Sequence, residues 1–158
     1  MVYVARMNDG LVIRAANHED HAQRLPLWEG YNTFYRRTIE PEVTAMSWDR
    51  FLDAVEPMHC LVAARGGRLV GFTHYLFHRS TSAIASSCYL QDLFTSVDER
   101  GKGVGRALIE EVFAAATAAG SARVYWQTHE TNTTAMRLYD QVAEKSGFLV
   151  YDGSAIRA

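Results

Sequence analysis

The chain has 158 residues, 48% of them hydrophobic and 22% charged, with 11 Gly and 3 Pro. That is one domain's worth of chain, 1–158, with enough apolar residues for a core; it excludes disorder and a collagen-like or Pro-rich fibre. Sixteen Lys and Arg against eighteen Asp and Glu give a formal charge of −2, which excludes a uniformly basic nucleic-acid binder. No apolar run reaches the roughly eighteen residues of a membrane span, because the greasiest stretch, 107–119, is broken by Glu110 and Glu111. Met1 to Ala5 is too short an apolar stretch for an export signal, since Arg6, Asn8, Asp9 and Gly10 follow at once. Cys60 and Cys88 lack zinc-site spacing, so two core thiols in a reduced, cytoplasmic setting and no metal are expected.

In chain order, Leu11 to Ala15 reads as a short strand, and Asn17, Glu19 and Asp20 as an acidic helix start. Leu25, Leu27, Trp28, Tyr31, Phe34 and Tyr35 recur at helical spacing, with Pro26 marking a kink or a junction of two helices. Ser47 is a candidate N-cap for a segment from Trp48 to Val55 that Pro57 closes. The period then changes. Cys60 to Ala64 and Leu69 to Phe77 read as strands joined by a Gly66-Gly67 hairpin turn, and a polar loop leads to a third strand over 88–96. A Gly-rich turn opens a long Ala-rich helix that Gly120 ends. Val124 to Thr128 reads as a strand, Thr133 to about Lys145 as a helix capped by Asn132, and Phe148 to Tyr151 as a final short strand. The order predicts an α+β layer with helices packed on a central sheet.

The most informative stretch is the turn Asp98-Glu99-Arg100-Gly101-Lys102-Gly103-Val104-Gly105-Arg106. Alternate glycines let backbone N–H groups converge, the following helix adds its positive dipole end, and Arg100, Lys102 and Arg106 supply cations: an anion site suited to phosphate. A Walker loop is absent, and the third glycine falls one place early for a dinucleotide fingerprint. The plain alternative is a Gly-rich connector without a ligand. Asn132 and Tyr139 lie seven residues apart, close to two helical turns, and so share a face.

Arg100-Gly101-Lys102-Gly103-Val104-Gly105, the preceding strand Tyr89 to Phe94, and Asn132-x-x-Ala135-x-x-x-Tyr139 resemble the GCN5-related N-acetyltransferases, nearest the histone and polyamine acetyltransferase branch. The resemblance implies a central mixed, mostly antiparallel twisted sheet flanked by helices, and acetyl-CoA as co-substrate. It places the pyrophosphate on the backbone of Gly101, Lys102, Gly103, Val104, Gly105 and Arg106, and the pantetheine arm along the backbone of Leu93, Phe94 and Thr95. It gives Asn132 and Ala135 cofactor contacts, and Tyr139 the role of general acid to the CoA sulfur. A phenol of pKa about 10 facing a thiol of about 8.5 suits that transfer. The plain alternative keeps Asn132 as a cap and Tyr139 as a packed aromatic. Relatives often dimerise, so a homodimer is an expectation from the resemblance.

Polyamine acetyltransferases of this type carry Glu where this chain has Gln91, and an amide cannot accept a proton at neutral pH. Asp92 is adjacent but points to the other face unless a bulge re-aims it. The base stays unassigned: Glu130 and Asp92 are the first candidates, His129, Tyr31 and Glu29 are others that could act through water, and Gln91, Tyr31 and Glu29 are candidate acceptor-side residues. His74 and His78 share a strand face and read as ordinary sheet histidines rather than metal ligands. Residues 1–58 hold nine acids and six bases, and 59–158 nine acids and ten bases, a split that leans toward a cationic acceptor: a polyamine, a small amine or a lysine side chain. The aromatics Trp28, Tyr31, Phe34 and Tyr35 line a groove or pack on the sheet, with packing expected of Trp28 and Phe34. The leading reading is direct acetyl transfer from acetyl-CoA to a primary amine. A non-catalytic acyl-CoA-binding or regulatory module is the alternative, motivated by Gln91, and a small nucleotide-binding protein is the third.

Overall fold

The computed structural model describes residues 6–153, so the stretch Met1 to Ala5 lies outside the described residues. Two compact units, divided between Gln127 and Thr128, are taken in turn. The first is a six-stranded sheet in sequence order: β1 (Arg6–Asn8), β2 (Leu11–Ala15), β3 (Met58–Arg65), β4 (Arg68–His78), β5 (Ser87–Thr95) and β6 (Val124–Tyr125). Every neighbouring pair is antiparallel except β5 and β6, which run parallel. The expected mixed, mostly antiparallel sheet is present. Asp9-Gly10 and Gly66-Gly67 turn the two tight hairpins with positive φ at both central residues, the conformation a two-residue loop demands.

Helices α1 (His21–Phe34) and α2 (Pro41–Leu52) cover one face of the sheet, and α3 (Val104–Ala118) the other. Asn17 and Asp20 form a reciprocal capping box ahead of α1, and Arg14 locks Asp20 with two bonds of 2.6 and 2.7 Å. Pro26 lies inside α1 without ending it. The second helix differs from expectation: it starts at Pro41 rather than at Trp48, because a proline at the first helical turn loses no intrahelical bond and is preset in φ. Trp28, Tyr31, Cys60, Val62, Leu69 and Phe72 form the core on the α1 side. Phe34 departs from the packing expected of it: as the last residue of α1 it is half exposed and, among the described aromatic rings, meets Tyr35 alone. On the opposite face Val104, Leu108, Ile109 and Val112 are fully buried along α3, each contributing about 1.5–3 kcal/mol of apolar burial.

Gly71 shows how closely the layers meet. A Cβ there would stand 2.7 Å from the Phe94 carbonyl oxygen and 3.2 Å from Val104 Cγ1. Gly71→Ala is expected to destabilise the fold by about 1–3 kcal/mol, read as a lower urea midpoint at unchanged slope.

The second unit carries α4 (Thr133–Val142), capped by Asn132, whose Oδ1 accepts from the Ala135 N–H at 3.4 Å. The helix ends three residues before Lys145. The expected strand over Phe148 to Tyr151 does not form: these side chains are 61–89% exposed and no ladder is present among the described residues. High strand propensity without a paired neighbour does not hold a strand. No described helix is long and apolar enough to cross a membrane.

Candidate active site

Strand β5 is paired on both sides only at its start. Cys88 and Tyr89 pair with β6, after which β6 ends and, among the described residues, no strand pairs the second edge of β5 from Leu90 onward. The Ser96 N–H donates to Val70 O of β4, so by alternation the N–H groups of Leu93 and Thr95 face the open edge. The chain then makes a 3₁₀ turn, Val97–Glu99, and reaches Gly101 and Gly103 at φ +74° and +82°. Gly103 caps α3 in the left-handed conformation. The first intrahelical bond is Ala107 N–H to Gly103 O, which leaves the N–H groups of Val104, Gly105 and Arg106 pointing out of the helix start. A line of backbone donors thus runs from the open strand edge to a positive helix end, a fit for the amide arm and the pyrophosphate of acetyl-CoA.

Ion pairs set the shape of this turn. Glu99 is buried and takes Arg65 at 3.0 Å and Lys102 at 3.3 Å, while Arg100 donates to Thr95 O at 3.3 Å and lies over the Phe94 ring. Lys102, Gly103 and Arg106 border an open cleft of about 420 Å³.

The other half of the site lies on the α1 face. The register between β4 and β5 slips by one: His74 pairs with Asp92 and Tyr75 with Leu90, so Gln91 is an extra residue. This is the bulge that could re-aim a side chain. Gln91 is exposed and Asp92 is buried beneath α1. Asp92 accepts from His74 Nδ1 at 2.9 Å and from the Tyr31 hydroxyl, and Arg37 lies 3.6 Å away. His74 Nε2 lies 3.0 Å from Arg24 Nη2. Arginine has no lone pair to offer, so His74 Nε2 must be the acceptor and Nδ1–H the donor: the imidazole is neutral. Burial holds His74 down to about 4 against the upward pull of Asp92. Burial opposes the ionised form of Asp92 too, but the bond from His74, with Tyr31 and Arg37, outweighs it and keeps the carboxyl below its ordinary value. Burial, and then Asp92, hold the Tyr31 hydroxyl far above the usual phenol range, so it stays a donor.

A cavity of about 50 Å³ opens beside this chain of bonds, bordered by Arg24, Ser47, Phe51, His74, Gln91 and Asp92. Of the acceptor-side candidates, Gln91 borders it, Tyr31 reaches it through Asp92, and Glu29 is exposed on α1 outside its lining. Sequence reasoning missed Arg24 and Arg37 and read His74 as ordinary. The available signal was an arginine at helical spacing within the buried stripe of Trp28 and Tyr31, where a charge needs a reason.

Asn132, Ala135 and Tyr139 lie on α4 of the second unit, Asn132 and Tyr139 on one face two turns apart, with Glu130 exposed just before the helix. Both cysteines are buried, and burial pushes the Cys60 thiol up to about 12 and the Cys88 thiol to about 11, so neither is a nucleophile at neutral pH.

Comparison with known proteins agrees with this geometry. The family model described as "Acetyltransferase (GNAT) family" matches residues 25–143. The chain is similar to a D-amino-acid N-acetyltransferase of Saccharomyces cerevisiae, 34% identical over 147 residues, covering 92% of this chain and 91% of the yeast protein. It is also similar to a thialysine N-epsilon-acetyltransferase of Mus musculus, 29% identical over 114 residues, 63% of this chain and 66% of the mouse protein. In fold it resembles the ribosomal-protein-alanine N-acetyltransferase of Brucella melitensis biovar Abortus 2308, with a TM-score of 0.78 at 20% identity over 91% of this chain and 99% of that one. The chain belongs to the acetyltransferase (GNAT) family and is an acetyl-CoA-dependent N-acetyltransferase.

Proposed function

We propose that the acceptor is the primary amine of a small molecule and that it attacks the acetyl group directly, with Tyr139 as the proton donor to the departing sulfur. Acetyl-CoA supplies an activated acyl group on a thiol leaving group. The observation that carries this reading is the two sets of outward backbone donors, Leu93 and Thr95 on the strand edge and Val104 to Arg106 at the start of α3, the first of which begins next to a cavity holding ionisable groups. The Leu93 and Thr95 N–H groups face the strand edge where they would hold the arm and polarise the acyl oxygen, and the backbone of Gly101 to Arg106 would hold the pyrophosphate. Two inert, buried cysteines support direct attack over an acyl-enzyme. Relatives named for D-amino acids and for thialysine support an amino acid as the amine's parent molecule.

Asp92 and Glu130 are the carboxylates proposed to carry the amine's proton away. Asp92 holds protons weakly, so its part is to steady an incoming ammonium and pass the proton on to water rather than to keep it. The test is CoA release over a panel of primary amines, with the product identified by mass, and a quench with labelled acetyl-CoA in the absence of acceptor. Acetylated amine and unlabelled protein are expected; acid-stable label on the chain overturns direct attack, and silence across the panel overturns the small-amine acceptor.

A further inference from the structure

Arg24 is the least accommodated charge among the described residues. It projects from α1 into the core, is 1% exposed, and is ringed by Trp28, Trp48, Phe51 and Phe72, with its guanidinium carbon 4.9–5.7 Å from each ring centre. One nitrogen, Nη2, bonds His74; Nε and Nη1 have no hydrogen-bond partner among the described residues. Aromatic faces ease the burial of a cation but accept none of its N–H bonds. An unmet buried donor costs about 1–3 kcal/mol, more when charged.

The ion pairs point the same way. Asp92 is the anion closest to this cluster in the bond network, but Arg37 and the His74 and Tyr31 donors already engage it; it reaches Arg24 through space and through neutral His74, with no bond of its own to the guanidinium. No ion pair among the described residues joins Arg24 to a carboxylate. Arg24 therefore lies in a low-dielectric setting without a direct ion pair or a full set of hydrogen bonds, beside a cavity of about 50 Å³ that it lines itself. This is room for a group larger than one water, and the polar groups on its wall include both a cation and an anion.

We propose that Arg24 is the receptor for a carboxylate on the acceptor: the substrates are amino acids with a free carboxyl group, held by Arg24 at one end while the amine is presented to the acetyl group. The proposal rests on the small-amine reading above and narrows it. A carboxylate supplies the negative charge and the lone pairs that Nε and Nη1 lack, whereas a polyamine would bring a second cation toward Arg24. His74, fixed by Asp92, is the positioning residue that sets the guanidinium plane.

The test compares matched pairs that differ only in the carboxyl group: lysine with cadaverine and phenylalanine with phenethylamine, each amino acid in both D and L forms. Wild type is expected to prefer at least one amino acid over its decarboxylated partner by roughly 100-fold or more in kcat/KM, the size of a lost buried charged hydrogen bond. Arg24→Met, which keeps bulk, is expected to bring that ratio to near one, and Arg24→Lys to recover part of it. Binding is read separately as the thermal shift caused by the N-acetylated amino acids, expected in wild type and absent in Arg24→Met. Amines acetylated as well as their parent amino acids overturn the carboxylate receptor and leave the small-amine reading intact. A product-induced shift that needs Arg24 in a protein without turnover supports the receptor and overturns the small-amine reading. A wild type with neither preference nor shift overturns the proposal.

Discussion

Tyr139→Phe is expected to lower kcat by roughly 10²–10³, the usual worth of a positioned proton donor, while CoA binding weakens by no more than about tenfold, the worth of one hydrogen bond. The change removes one oxygen from a residue that is partly exposed on α4, so folding is unaffected. The discriminating measurement is the pH profile. If the phenol delivers the proton, wild-type turnover falls at alkaline pH as the phenol ionises, and the variant lacks that limb. A ring that only packs against its neighbours would leave the limb in place. Equal kcat in the two proteins rules out Tyr139 as the acid.

Asp92→Asn carries the largest expected effect on stability. The carboxylate fixes the His74 tautomer and accepts from Tyr31 while 4% exposed, and its charge offsets exposed Arg37 and, through space, buried Arg24; an amide in its place leaves the Arg24 charge without that anion, a change costing about 3–5 kcal/mol. In a protein of this size that is a fall in Tm of about 10 °C. The pH dependence follows from two depressed values. Burial holds His74 near 4, below the ordinary imidazole value of about 6.5, so the unfolded chain binds a proton there that the folded one refuses; stability falls as pH drops through that window. Asp92 is also held below its ordinary value, so its contribution is complete above about pH 4 and is lost as pH falls further. Denaturant melts of wild type should be flat above about pH 7, decline from about 6.5 and steepen below 4. Asp92→Asn should converge with wild type at the acid end, and His74→Gln should remove the upper part of the decline. A wild-type curve flat down to pH 4 is incompatible with a buried neutral His74.

What could be read from the sequence was what depends on local spacing. Gly66-Gly67, the glycines of the loop, the Ala-rich helix and the Asn132 cap each declare themselves within a few residues, because turns and caps are local solutions to backbone geometry. The α1-side cluster did not. Arg24 and His74 are 50 positions apart and His74 and Asp92 are 18 apart, so their meeting depends on strand register and on one extra residue at Gln91. A bulge at Gln91 was only a condition in the sequence, and both its presence and its consequence, a buried Asp92 beside an exposed Gln91, needed the register. Pro41 was a start signal passed over for Ser47, and Phe148 to Tyr151 had strand composition without a ladder.

The cavity under α1 has a further consequence because of what surrounds it. Phe72 is wholly buried; its ring lies 4.7 Å from that of His74 and 5.6 Å from the Arg24 guanidinium, and Trp28 borders both the cavity and the main aromatic cluster. Half of the cavity wall, namely Arg24, Trp28, His74, Tyr75 and Asp92, is therefore buried with the core. Substitutions that would reshape what fits there also remove packing, so selectivity and thermal resistance draw on the same side chains. A laboratory search for altered acceptor preference should recover paired changes, one at the wall and one that restores stability elsewhere, and should do better from a stabilised parent such as one with improved surface helix residues.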